Sequence, residues 1–172
     1  AEKRLSEIDS AASKVVAQIL SGVLPKGIQA LACAISFMKN SQPPLQAYLR
    51  TNNFEGVENW TSDHWLIARI RASLDDWKNY VPSYYSLQII DDNDKESRFL
   101  TSSNPLIEMK NPPTKLFPLS SRHCLFMSFD PQFIGCSPGR ITCDREIVVG
   151  INKMTINNSW KYIYSSTPDF DP

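Results

Sequence analysis

The chain has 172 residues, is 42% hydrophobic and 21% charged, and its 18 basic and 18 acidic residues cancel. That length suits one domain with its own core rather than two, and zero net charge excludes an overall field that would draw the chain to nucleic acid or to an anionic membrane. Its longest apolar run, around Leu31 to Met38, is interrupted and falls short of the ~20 residues a bilayer span needs.

In chain order, Leu5, Ile8, Ala12, Val15, Val16, Ile19, Leu20 and Val23 recur every three or four residues and predict one apolar helix face, with Ser6 and Asp9 as a capping box and Pro25 as its stop. A second helix is expected from about Lys26 to Asn40. It is apolar on most faces and therefore central to a core. Pro43-Pro44 interrupts, and a short helix is expected over Leu45 to Arg50 before the polar loop Thr51 to Trp60. A third helix runs from about Ser62 to Tyr80, with Trp65, Leu66, Ile67, Ile70, Leu74 and Trp77 as its buried face, His64 as a cap or helix-face residue, and Pro82 at its end.

After Pro82 the period changes. Tyr84 to Ile90 reads as a strand, Asp91 to Asp94 as a turn, and Arg98 to Thr101 as the returning strand of a hairpin. Further short strands are expected over Leu106 to Lys110, Leu116 to Pro118, Cys124 to Phe129 and Glu146 to Val149, then a short helix from Gly150 to Trp160, an extended Tyr162 to Ser165, and a surface tail from Thr167. Helices first and strands second predict an α+β domain: three or four N-terminal helices, residues 5–82, packed on a mixed or antiparallel sheet with a short late helix, residues 83–165.

Cys33, Cys124, Cys136 and Cys143 are too few and too irregular for a secreted disulfide framework, so a reducing, cytoplasmic compartment is expected. Cys136 and Cys143 flank Ser137-Pro138-Gly139-Arg140, whose Pro-Gly suits a type II turn, which would set the two thiols across a hairpin-like loop. Joined with His123 and Cys124 they still lack the close pair, about two to four residues apart, of structural zinc sites. Neither a metal nor a cofactor is expected, and the thiols read as buried strand residues.

The stretch Arg98 to Phe129 holds two Ser-rich elbows, Thr101-Ser102-Ser103-Asn104-Pro105 and Pro118-Leu119-Ser120-Ser121-Arg122-His123. Its Phe99 to Leu106 run resembles the F-[IL]-T-S-D-N-P-V motif of a microbial family catalogued as domain of unknown function DUF4238. Phe117-Pro118-Leu119-Ser120-Ser121 resembles the F-P-L-S-P that follows it there, Ile151-Asn152 and Tyr162 to Ser165 resemble its N…VYS segment, and Trp77 fits a tryptophan ahead of the strand. The resemblance implies no activity. It also implies two departures: an acidic residue is Ser103 here, and an H-Y-V-P element ahead of the helices is missing, which suggests part of a longer, bacterial protein, while the absent initiator Met suggests a processed or cut chain.

Candidate site residues are Ser102, Ser103, Asn104, Arg122, His123 and Asn152, converging at one sheet end with Ser120 and Ser121, since rigidly held loops are where binding residues concentrate. The bland alternative is that Ser and Asn fix a strand end through bonds to nearby backbone. His123 and Cys124, adjacent on a strand, point to opposite faces and form no dyad, and no G-x-S-x-G elbow exists. Arg140, Arg145, Lys153, Trp160 and Lys161, interleaved with Tyr162 and Tyr164, form a weak nucleic-acid reading, diluted by Asp144 and Glu146. The expected function is a non-catalytic interaction or regulatory module whose partner is another protein or a missing N-terminal segment. A hydrolase or nuclease-like effector built on the elbows is the alternative.

Overall fold

A computed structural model describes residues 2–25, 27–40, 51–52, 56, 59–91, 93–159 and 161–166, without the side chains of 2–5 and 8. The helix expected over Leu45 to Arg50, Trp160 and the tail from Thr167 lie outside these. The chain divides into two compact units, Ala1–Gln18 with Gly27–Val81, and Ile19–Lys26 with Pro82–Pro172. Among the described residues there are four α-helices, three N-terminal and one late, and a mixed sheet of five strands, which is the expected α+β class.

Helix α1 spans Glu2–Leu20 and buries Ala12 and Ile19. It stops five residues before Pro25, because Gly22 takes a positive φ of 100° and donates its N–H to the Ile19 carbonyl at 3.1 Å. A glycine in this left-handed position ends a helix by satisfying its last carbonyls. Leu20 and Val23, expected on the buried stripe, are exposed. Helix α2, Gln29–Asn40, buries Leu31, Ala32, Ala34, Ile35 and Ser36. Its Ser36 hydroxyl donates to the Ser73 carbonyl at 3.3 Å, tying it to helix α3, Ser62–Asp76. Thr61 and His64 cap α3 reciprocally, the Thr61 N–H donating to His64 Nδ1 at 3.1 Å. The helix tightens into a 3-10 turn at Trp77–Tyr80. On α3 the inward line passes through Leu66, Ile70, Ser73 and Trp77. Ile67, one residue or about 100° off that line, is 45% exposed, against expectation.

The second unit holds β1 (Tyr84–Ile90), β2 (Thr101–Ser102), β3 (Ile107–Lys110), β4 (Pro113–Ser120), β5 (His123–Ser128), β6 (Gly139–Cys143), helix α4 (Arg145–Asn158) and β7 (Ile163–Tyr164). The order in the large sheet is β3-β4-β5-β1-β6, antiparallel except for β1 beside β6, while β2 and β7 form a separate antiparallel pair. The predicted hairpin between Tyr84–Ile90 and Arg98–Thr101 does not form. Strand β1 pairs instead with β5, from Tyr84 opposite Ser128 to Ile89 opposite His123, and with β6. The expected turn after β1 is present, the Asp94 N–H donating to the Asp91 carbonyl at 3.0 Å, but the Asp94 carboxylate then accepts the N–H groups of Glu96 and Ser97 at 3.0 and 2.8 Å, and the chain does not return onto β1.

Two further expectations are corrected. Glu146 to Val149 is not a strand, because Asp144 accepts the Ile147 N–H at 2.9 Å and starts α4 there, whose buried Val148, Ile151 and Thr155 follow helical spacing. Ser137 to Arg140 is not a hairpin turn, because Gly139 and Arg140 already belong to β6; Cys136 is exposed and Cys143 buried.

The sheet face carrying Ile90, Ile107, Leu116, Cys124 and Cys143 packs with Phe99 and with Val148 and Ile151 of α4 into one apolar cluster. Leu87, Leu125 and Met127, on the opposite face, are also buried. No helix among the described residues is long and apolar enough to cross a membrane. Burial pushes the Cys124 thiol up to about 12 and raises that of Cys143, which donates to Gln88 Oε1 at 3.3 Å. Because the thiolate is the reactive form, iodoacetamide at pH 8 is expected to label Cys136 first, half-buried Cys33 more slowly, and Cys124 and Cys143 only after unfolding. Peptide mapping of a labelling time course checks that order.

Candidate functional site

The first elbow carries only the two-residue strand β2, paired with β7, and on either side of it side chains do for the backbone what a sheet ladder would otherwise do. A segment without strand partners must still satisfy its N–H and C=O groups. Asn152, on α4, accepts the Leu100 N–H at 2.9 Å and donates to the Arg98 carbonyl at 2.8 Å. Six residues further along α4, Asn158 donates to the carbonyls of Asn104 at 3.1 Å and Leu106 at 2.8 Å, while Asn104 Nδ2 donates back to the Asn158 carbonyl at 3.2 Å. Ser102 closes a local turn, donating to the Asn104 carbonyl at 2.9 Å and accepting the Asn104 N–H at 3.1 Å. Ser103 Oγ accepts the N–H groups of Lys161 and Tyr162 at 3.0 and 3.3 Å. The hydroxyl at the position of the expected acid therefore anchors the approach to β7. Asn104 is buried, and its Oδ1 has no hydrogen-bond partner among the described residues.

The second elbow is the β4–β5 turn, entered through a register shift between Pro118 and Ser120. Ser120 Oγ accepts the Arg122 N–H at 3.2 Å and lies 2.9 Å from His123 Nδ1. The Arg122 guanidinium reaches back across the sheet end and donates to the carbonyls of Ile90 at 2.9 Å, Asp94 at 2.6 Å and Asp91. Phe99 donates its N–H to the Ser121 carbonyl at 2.9 Å, which joins the two elbows.

Where the elbows meet, a cleft of about 240 Å³ opens, lined by Phe99 and Thr101, by Pro118 to Ser121, and by Tyr164 to Ser166 beyond β7. Of the residues singled out in the elbows, Ser120 and Ser121 line this cleft. Ser102, Ser103, Asn104, Arg122, His123 and Asn152 do not line it and are bonded as described. Thr101, Leu119 and Tyr164 were not singled out as site residues. For Tyr164 the sequence holds a signal, the alternation of Tyr162 and Tyr164; in the structure both are about half exposed, at 52% and 53%.

The basic candidates are spread over separate elements. Arg140 is exposed on β6, with its guanidinium beside Gly22. Arg145 forms an exposed 3.0 Å ion pair with Glu96, and with Lys153 and Glu146 it borders a shallow hollow on α4. Lys161 Nζ lies 4.9 Å from the centroid of the Tyr162 ring. Among the described residues, no three His, Cys, Asp or Glu side chains come together as a metal-ligand group.

No curated protein and no solved structure matches the chain. A family model described as "Protein of unknown function (DUF4238)" matches residues 36–169, which reaches back into α2 as well as spanning both elbows. With most of its length matched, the chain belongs to that family.

Proposed function

We propose that the chain is a non-catalytic binding module whose binding element is the cleft between the elbows. One observation carries this reading: the polar side chains of the elbow motifs are directed at backbone groups of the same unit. Asn152, Asn158, Asn104, Ser102 and Arg122 together bond nine backbone atoms. A catalytic group must instead reach a substrate atom at hydrogen-bond distance. The motif serves as scaffold, and the cleft in front of it is left to bind.

A hydrolase reading rests on the 2.9 Å approach of Ser120 to His123 at the cleft wall. The contact uses Nδ1 and spans three residues of one tight turn, and the same Ser120 oxygen accepts the Arg122 N–H, which makes it a local turn bond. An activated serine reacts with a fluorophosphonate probe because its base removes the hydroxyl proton. No adduct on Ser120 is expected by mass spectrometry after incubation with such a probe. Covalent labelling of Ser120, abolished in His123→Ala, would establish the hydrolase instead.

A further inference from the structure

The cleft's lining says what kind of ligand it suits. Six of its nine lining residues carry a hydroxyl: Thr101, Ser120, Ser121, Tyr164, Ser165 and Ser166. None is a carboxylate, an ammonium or a guanidinium, so an ionic ligand would find no compensating charge and would lose hydration on entry. Hydroxyls both donate and accept, and they pair best with ligand groups that do the same. Most of the exposed lining is nonetheless apolar, contributed by Phe99, Pro118, Leu119 and the carbon atoms of the hydroxyl-bearing residues. The space corresponds to about eight waters at their liquid volume, which is smaller than a drug-sized pocket and comparable to one six-membered ring with its substituents.

Tyr164 lines the cleft and is 53% exposed, paired through β2 with Thr101 and with the Tyr162 ring centroid 6.3 Å away at a tilt of 44°. An exposed ring edged by hydroxyls offers an apolar platform beside ambivalent hydrogen-bonding groups. From this combination we infer that the cleft binds one pyranose ring of a neutral glycan, its C–H face on Tyr164 and its hydroxyls toward Thr101, Ser121 and Ser166. A nucleic acid also stacks on tyrosines, but its phosphates need cations along the groove, and the cleft supplies none; the adjacent Lys161 lies over the Tyr162 ring.

The inference rests on the binding-module reading, and one experiment separates the two. The purified chain is titrated with maltohexaose, cellohexaose, chitohexaose and mannohexaose, and with the single-stranded RNA rU12, followed by saturation-transfer NMR and calorimetry, and each sugar is recovered afterwards and sized. At least one hexasaccharide is expected to bind at up to about millimolar concentration, to weaken roughly tenfold or more in Tyr164→Ala, to persist in Tyr164→Phe, and to be recovered intact. Circular dichroism and Tm should match wild type in both variants. Binding followed by cleavage of the sugar would support the glycan site and overturn the non-catalytic reading. Absence of sugar binding at about millimolar concentration, binding unchanged in Tyr164→Ala, or Tyr164-dependent binding of rU12 alone would each overturn the glycan site and leave the scaffold argument standing.

Discussion

Replacing Asn152 with alanine is expected to destabilise the sheet-bearing unit by about 2–4 kcal/mol. The amide makes two bonds of good length, at 2.9 and 2.8 Å, to backbone groups that have no strand partner. Truncation removes both and leaves the N–H of Leu100, itself only 2% exposed, without a partner in an apolar setting. An unsatisfied buried donor costs more than the net worth of the bond it has lost. Asn152→Asp separates the two contributions, since a carboxylate still accepts from Leu100 but cannot donate to Arg98, and roughly half the loss is expected there. Urea denaturation measures both, read as a shift in midpoint at unchanged slope. Equal losses in the two variants, or a loss below about 0.5 kcal/mol, would mean that the amide does not hold this segment.

Asn152 also shows why some of this architecture can be read from a sequence and some cannot. On α4 it looks like an ordinary polar position, and its partners lie 52 and 54 residues earlier in the chain. The N-terminal helices are legible because three-and-four spacing is a local property, and α2 and α3 lie close to where that spacing puts them. Strands β3, β4 and β5 are legible as apolar runs joined by short turns. The partners of β1 are not, because one is reached only after the β2 to β4 excursion and the other is the parallel β6, and neither pairing leaves a local mark. Glu146 to Val149 misleads for a related reason: β-branched residues favour strands on average, yet the Asp144 cap and the apolar surface waiting for Val148 and Ile151 decide the matter in favour of helix.

The site divides along the same line. Turn-forming Ser and Asn residues can be recognised one by one, but whether their hydroxyls and amides face a ligand or the backbone depends on what the rest of the chain brings to them. Here α4 brings backbone to Asn104, the end of β1 and the loop after it bring backbone to Arg122, and Ser102 closes on the backbone of Asn104, while β7 brings Tyr164 to the cleft. Ser103 shows it most directly. The motif resemblance expects an acid at its place, and in this chain its oxygen accepts two N–H groups at the approach to β7.

Arg122→Ala is expected to release the loop from Asp91 to Ser97, with a stability loss of about 2 kcal/mol, since bonds from a charged donor are worth more than neutral ones but this guanidinium is only half-buried. Its fork gathers the carbonyls of Ile90, Asp91 and Asp94, a geometry a lysine ammonium cannot reproduce, so Arg122→Lys should recover less than half. Hydrogen exchange reads the effect residue by residue. The amides of Glu96 and Ser97, held by Asp94 Oδ1, and of Phe99, held by the Ser121 carbonyl, should lose protection at pH 7, while those in the centre of β1 and β5 keep theirs. Acid should loosen the same loop by another route. The Asp94 carboxyl is held below its ordinary 3.8, chiefly by hydrogen bonds from the Ser97 side chain and then its backbone. A group whose folded value is depressed contributes its stabilisation in full above the unfolded value and loses it as pH falls through the folded one. The wild-type loop should therefore stay closed down to about pH 4 and open below it, whereas in Arg122→Ala it should already be open at neutral pH. If exchange at Glu96 and Ser97 is the same in both proteins at pH 7, the guanidinium is not what closes the loop, and the carboxylate alone is enough.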